Sequence, residues 1–205
     1  MITVITSEAR SECTRQLDQI FRARKRMFVD LFKWELPITD GCYEQDQFDG
    51  EEAIYLYAGN SAGQHIGSLR LLPTTGRHLM SEIFPQMCES GSPADPGVWE
   101  ITRLCYSTDL RMSQRLEVRR MLATALVEFG LIWGISRYIC LCDVGLISQV
   151  ISLGWDCEPL GMPQRIGSAQ CGALSINISP ETLKLFRDRF GLKPPILRLP
   201  LPAAA

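Results

Sequence analysis

No stretch of this chain approaches the ~20 consecutive apolar residues that a membrane span requires. The N-terminus, MITVITSEARSECTRQLDQ, lacks the apolar core of a signal peptide. No membrane span and a cytoplasmic location are therefore expected. An excess of charge of one sign is also lacking: 21 Lys and Arg stand against 23 Asp and Glu, for a net charge of -2 and a pI near 5.8. Nucleic acid as a partner is disfavoured, because binding it calls for a basic face. Histidine is scarce, with only His65 and His78, and none of the eight cysteines forms a C-x-x-C pair. A zinc site is thus poorly supported, and disulfides are not expected in a chain without a secretory signal. Cys140 and Cys142 lie inside an apolar run, where free cysteine behaves as a small hydrophobe. There is no internal repeat and no low-complexity block.

What is present suits one globular domain. Of 205 residues 46% are apolar, enough for a core without metal or disulfide support. ITVIT at the start alternates like a short strand. Residues 11–32 predict a helix with Leu17, Phe21, Phe28 and Leu31 on one stripe. Segment 36–52 reads as an acidic loop, and AIYLYAG and GQHIGSLRLLPT as paired strands around Asn60-Ser61-Ala62-Gly63. Residues 73–97 read as an irregular excursion and VWEITRLCYS as a strand. The longest amphipathic helix is expected over 111–134, with Leu116, Leu122, Leu126, Phe129 and Trp133 apolar. RYICLCDV reads as a buried strand, 145–154 as a short helix, and 171–178 as a strand. Ser179 and Pro180 open a last helix as cap and first residue. Strands alternating with helices, plus a hairpin, predict an α/β fold: one mixed sheet covered on both faces. The domain is expected over 1–190, followed by a Pro-rich tail, 191–205, read as an arm or disordered end.

Several residues do not fit a plain core. Arg24 lies on the apolar stripe of the first helix, Arg70 inside the apolar LRLL, and Arg103 in the strand after Trp99. Left unpaired in apolar surroundings, each would cost several kcal/mol, so acidic partners are expected, with Asp46, Asp49 and Glu100 available. In a regular strand Glu100 and Thr102 share a face while Arg103 points away; a bulge would bring all three to one side. Trp34, just past the first helix, reads as core or as an aromatic face for a cationic ligand.

Taken together, Arg24, Phe28, Trp34, Asp46, Asp49, Arg70, Glu100 and Arg103 resemble the pattern of the LuxI-type autoinducer synthases, the acyl-homoserine-lactone synthases. The strings QFDG, GSLRLLPT, EITR and LGMPQRIG match as well, and the resemblance runs in order from residue 1 to about 190. It implies a three-layer α/β/α sandwich like that of the GNAT acetyltransferases. The Arg/Gln-x-x-Gly-x-Gly/Ala loop of an ordinary acetyltransferase is missing, since RMSQRLEVRRMLATAL has no glycine in that stretch.

The resemblance further implies two substrates, S-adenosylmethionine and a fatty acyl thioester, and no cofactor. Glu100 is the candidate base for the methionyl amine, with Arg103 beside it as a catalytic-site residue. Arg24, Phe28, Trp34, Asp46, Asp49, Arg70 and Thr102 would shape the S-adenosylmethionine pocket. Leu122, Leu126, Leu141, Cys142 and Val144 are candidates for the acyl pocket, with simple core packing the commoner use of each. GLISQVISLG carries Ser148 and Ser152 where docking on an acidic acyl carrier protein would favour basic residues, so carrier protein and acyl-coenzyme A both stand as donors. Cys140-Leu141-Cys142 replaces the threonine associated with 3-oxo products, which points to an unsubstituted, branched or otherwise unusual acyl group. Two other readings stay open: an N-acyltransferase of the same fold with a different amine acceptor, and a degenerate synthase serving as a binding protein.

Overall fold

The computed structural model describes residues 1–193 and 195–199. In chain order its strands are β1 (Ile2–Ile5), β2 (Ile38–Thr39), β3 (Tyr43–Glu44), β4 (Ile54–Gly59), β5 (His65–Pro73), β6 (Val98–Tyr106), β7 (Arg137–Asp143), β8 (Asp156–Pro159), β9 (Gln164–Ile166), β10 (Ala169–Asn177) and β11 (Leu197–Arg198). The helices are α1 (Thr14–Arg24), α2 (Leu79–Glu82), α3 (Met112–Trp133), α4 (Val144–Leu153) and α5 (Pro180–Phe190). None of the described helices is long and apolar enough to cross a membrane. The chain forms two compact units. One holds Met1–Arg70, Arg103–Ala125 and the segment from Pro195; the other holds Leu71–Thr102 and the segment from Leu126.

In the first unit the strand order is β11-β1-β4-β5. β1 is antiparallel to β4, with Ile5 opposite Tyr55, and parallel to β11, with Ile2 opposite Leu197. The tail expected to be an unstructured arm thus contributes a short strand, because Ile196 and Leu197 are apolar and become buried. Part of the predicted tail, residue 194 and residues 200–205, lies outside the described residues. Phe21 of α1 meets Tyr55 of β4 edge-on. On β5, Gly67 sits so close to α3 that a Cβ there would lie 2.5 Å from a Val118 methyl carbon. Arg70, three residues further along the strand, points to the opposite face.

The first helix departs from the regular 11–32 expectation. α1 ends at Arg24, and Lys25–Leu31 continue as a π-helix closed by Phe32 N–H donating to Met27 O. The wider turn carries the apolar stripe out of register. Phe28 stays buried, while Leu31, expected on the stripe, is 56% exposed. The acidic loop contains a small hairpin, β2–β3, whose turn residues Asp40 and Gly41 both have positive φ, a conformation Asp-Gly adopts readily.

In the second unit β6 runs parallel to β7, and β10 is antiparallel to β7, β8 and β9. This sheet is mixed and covered on both faces, as the sequence pattern implied. On one face the Tyr138 hydroxyl donates to Leu126 O of α3, Phe129 meets Trp99, and Ile147 of α4 presses on Gly172. On the other face Val98, Ile139 and Ala173 pack against Met80 and Met87, so the 73–97 excursion serves as a cover layer. α4 ends at Gly154 in the left-handed conformation, and Ser179 caps α5 by accepting from Thr182 N–H. Leu116 and Trp133, expected on the apolar face of α3, are both more than a third exposed.

Gly67→Ala is expected to lower stability by about 1–3 kcal/mol, the usual cost of forcing a methyl group into a packed contact, read as a lower urea midpoint. His65 gives a pH dependence. Burial, reinforced by the Arg26 charge, lowers its pKa to about 4, and its Nε2 shares a hydrogen bond with Ser68 Oγ. The folded chain holds this ring neutral, so its contribution is complete above the unfolded pKa near 6.5 and is lost as pH falls toward 4. That loss is about 3 kcal/mol, measurable as a fall in urea midpoint between pH 7 and pH 4 that His65→Phe abolishes.

Candidate active site

Three arginines and three acids of the first unit close into a ring of alternating charge. Arg24 donates from Nη1 and Nη2 to the two oxygens of Asp49 at 2.8 and 2.9 Å, and from Nε to Glu44. Arg70 bonds Asp46 through both Nη atoms and Asp49 through Nη1 at 2.8 Å. Arg103 reaches Glu44 at 3.1 Å and Asp46 at 2.8 Å from Nη2. Each arginine thus bridges two acids, and each acid holds two arginines. Arg24, Arg70 and Glu44 are 1%, 0% and 0% exposed.

Local sequence explains the assembly. Glu44 and Asp46 are two residues apart on an extended segment and so point the same way. Asp49 folds back because its Oδ2 accepts from Asp46 N–H and its backbone N–H donates to Asp46 O. Arg10 fastens the loop from behind, donating to the carbonyls of Asp49, Gly50 and Ala53. Among the described residues Arg103 is one of three non-glycine residues with positive φ, at 52°. This left-handed residue interrupts the alternation of β6 and aims the guanidinium at the ring, a strained conformation held by four hydrogen bonds to Glu44 and Asp46.

The electrostatics follow from pairing. Burial disfavours the Arg24 cation, yet Asp49 and Glu44 outweigh it and its pKa stands above the usual guanidinium value. Burial would likewise raise the Asp49 carboxyl, but Arg24 and Arg70 override it and hold it well below the ordinary carboxylate range. Tyr55, which donates to Asp49 Oδ1 at 2.7 Å, is pushed up by burial and by that carboxylate.

Aromatic side chains adjoin the ring. The Arg103 guanidinium lies 5.7 Å from the Phe28 ring centre, and Phe28 stacks on Trp34 at 5.1 Å with only 9° between planes. Trp34 and Phe32 are about half exposed, leaving aromatic surface open. A small cavity beside them is lined by Met27, Leu31, Phe32, Tyr106, Thr108 and Arg115.

Glu100 is held by main-chain donors. It is fully buried in the second unit, and its two carboxylate oxygens accept from Leu79 N–H at 2.7 Å and Met80 N–H at 2.9 Å. Glu44, not among the acids expected from the sequence, joins Asp46 and Asp49 as an acid of the arginine network. Its spacing from Asp46 was the available signal. Thr102 is buried in the same unit as Glu100. Of the acyl-pocket candidates, Leu122 belongs to the first unit, where it lies against Gly67. In the second, Leu126 is buried, Leu141 packs on the Ile139 cluster, Cys142 is partly buried, and Val144 is exposed at 38%. All eight cysteines are free thiols.

The family described as Autoinducer synthase matches residues 8–185. This chain belongs to that family. The isovaleryl-homoserine lactone synthase of Bradyrhizobium diazoefficiens is 31% identical to the synthase over 193 residues, 94% of this chain and 86% of that one. Among solved structures, a CoA-dependent acyl-homoserine lactone synthase, BjaI, with SAM and isopentyl-CoA, superposes with a TM-score of 0.92 at 32% identity. That match covers 100% of this chain and 95% of the other. A putative N-acetyltransferase from Lactobacillus plantarum, 14% identical over 87% of this synthase and 99% of its own chain, shares the fold with a TM-score of 0.59. The GNAT-like sandwich implied by the resemblance is therefore the fold of the synthase.

Replacing Glu44 by Ala leaves two buried arginines short of a partner. A loss of about 3–5 kcal/mol is expected, the cost of breaking a buried ion pair from one side. Chemical denaturation of the variant against wild type measures it.

Proposed function

We infer that this synthase acylates the amine of S-adenosylmethionine from an acyl thioester and then closes the lactone, releasing methylthioadenosine and an acyl-homoserine lactone for quorum sensing. The closed charge ring beside open aromatic surface carries the reading, together with family membership. The amine must be neutral to attack, and a free α-amine has a pKa near ~8, so a modest base suffices. Glu100 takes that proton in our reading, through a water, with Arg103 beside the reacting groups. Nitrogen attack forms the tetrahedral adduct, strand N–H groups beyond Arg103 steady its oxyanion, and collapse expels the thiolate. The methionyl carboxylate then attacks the carbon next to sulfur, breaking the C–S bond and expelling methylthioadenosine. No group beyond the two substrates is needed to balance either step.

Phe28 and Trp34 are assigned to the sulfonium and adenosine, where an aromatic face attracts a cation. Arg24, Asp46, Asp49 and Arg70 are assigned to the wall of this pocket, and Thr102 to its polar lining. Leu122, Leu126, Leu141, Cys142 and Val144 are assigned to the acyl chain. Acyl-coenzyme A is the donor we favour over acyl carrier protein. The similarity to a synthase described as CoA-dependent supports this, as do Ser148 and Ser152 on exposed positions of α4. The similarity to an isovaleryl-homoserine lactone synthase supports a short or branched acyl group. We further read residues 1–190 as one catalytic domain with 191–205 as its tail, since the family match spans both compact units. A cytoplasmic location is part of this reading.

Purified synthase incubated with S-adenosylmethionine and a panel of acyl-CoA and acyl-carrier-protein thioesters is expected to release methylthioadenosine with a short or branched acyl-CoA, and mass spectrometry to find the matching lactone. Acylation without methylthioadenosine would indicate another acceptor chemistry. Glu100→Gln is expected to keep the fold and lower kcat about 10²- to 10⁴-fold; full activity in that variant would remove Glu100 as the base.

A further inference from the structure

His78 is a buried histidine. It is 2% exposed, lies outside the charge ring, and immediately precedes α2, whose first two N–H groups hold the Glu100 carboxylate. Its ring is fixed from both ends. Nδ1 is 3.0 Å from Gly76 O and 3.1 Å from Ser81 Oγ, and Nε2 is 2.9 Å from Ser92 Oγ. A carbonyl oxygen only accepts, so the Nδ1 bond to Gly76 puts the proton on Nδ1. Ser81 Oγ sits 3.0 Å from His78 O and donates its own proton there, which is consistent with that tautomer. Nε2 is then the acceptor, and Ser92 is the donor. The ring thereby ties three segments together: the turn before α2, the first turn of α2, and the loop ahead of β6, the strand that carries Glu100.

α2 has only four residues, too few to hold its shape by helix propensity alone. Met80 anchors it to the core from one side, packing with Val98 and Ile139. At its N-terminal turn Glu82 N–H donates to His78 O, and Ser81 and the Gly76 carbonyl close on the ring. The direction in which Leu79 N–H and Met80 N–H point therefore depends on where His78 stands. Those two donors fix both oxygens of Glu100, and with them the direction of any remaining lone pair.

We propose that His78, with Ser92, is a positioning residue for the reaction: it orients the α2 N–H groups that set the Glu100 carboxylate for proton transfer. The proposal rests on the reading of Glu100 as the base. A misplacement of about an ångström at a reacting group lowers turnover about a hundredfold, so a slack α2 acts on kcat and leaves the charge ring and aromatic face untouched.

The test is a double-mutant cycle on the full chain, with the acyl-CoA that the wild type turns over best. His78→Ala is expected to lower kcat about ten- to a hundredfold, with the KM for S-adenosylmethionine unchanged within about twofold. His78→Asn keeps a donor near the Nδ1 position for Gly76 O and should recover most of the rate. Ser92→Ala removes only the outer tie and should give a smaller fall in kcat, which keeps the proposal open to test if His78→Ala does not fold. In the Glu100→Gln background, His78→Ala should add nothing, since both act through one carboxylate. Wild-type kcat in both His78→Ala and Ser92→Ala overturns the proposal, as does an independent, additive loss in the double mutant. If Glu100→Gln is itself fully active, the base assignment falls instead.

Discussion

Six buried charges that cancel in a ring are the constraint on which the first unit depends. Arg24, Glu44, Arg103, Asp46, Arg70 and Asp49 come from a helix, a hairpin, a loop and two strands, and each must arrive in register for any of them to be tolerated. An isolated ion of this size costs several kcal/mol to bury, and a buried pair seldom returns more than it costs. What the ring supplies is a geometry: it forces the π-helix, the acidic loop and the distorted strand β6 into one arrangement. The aromatic pair Phe28 and Trp34 inherits its place from that arrangement through the Arg103–Phe28 contact.

In our reading the electrostatic framework and the proton transfer fall to different residues. The ring's arginines and acids bond one another, and Tyr55 O–H and the Asp46 and Phe48 N–H groups add further donors to its acids. Glu100 is held by two main-chain donors on a very short helix, in a layer that begins as an irregular segment after β5. The segment 73–97 looks like filler in sequence because Pro, Gly and Ser interrupt any period. In the structure it covers one face of the second unit's sheet with Met80 and Met87 and supplies the donors that orient a carboxylate.

Much of this was legible beforehand. The period-two runs located the main strands, and the capping signal at Ser179-Pro180 located the start of α5 to the residue. Arginines inside apolar runs announced a buried network, because the cost of an unpaired charge leaves few alternatives. The identity of the third acid was harder. Glu100 lay three residues from Arg103 and drew the pairing in sequence, whereas Glu44 joins from a two-residue strand too short to carry a pattern. The π-helix was equally hidden: a shift of one hydrogen-bond step changes which residues share a face without altering composition, so Leu31 left the core unannounced. The bulge at Arg103 was foreseen as a geometric option, but its partners depended on contacts from distant segments. The GNAT-like architecture and the lactone chemistry came from resemblance; spacing by itself led no further than a mixed sheet with a buried polar site.

The two-residue strand β11 has a bearing on handling the chain. It lies at the end of the sheet order, and Ile2 N–H donates to Ile196 O at 2.7 Å, so β1 and the segment 195–199 shield each other. A truncation that removes 195–199 would strip β1 of its β11 neighbour and offer Ile2 and Val4, both fully buried, as an unpaired apolar edge. Self-association of such preparations would then reflect a lost seam rather than any native assembly.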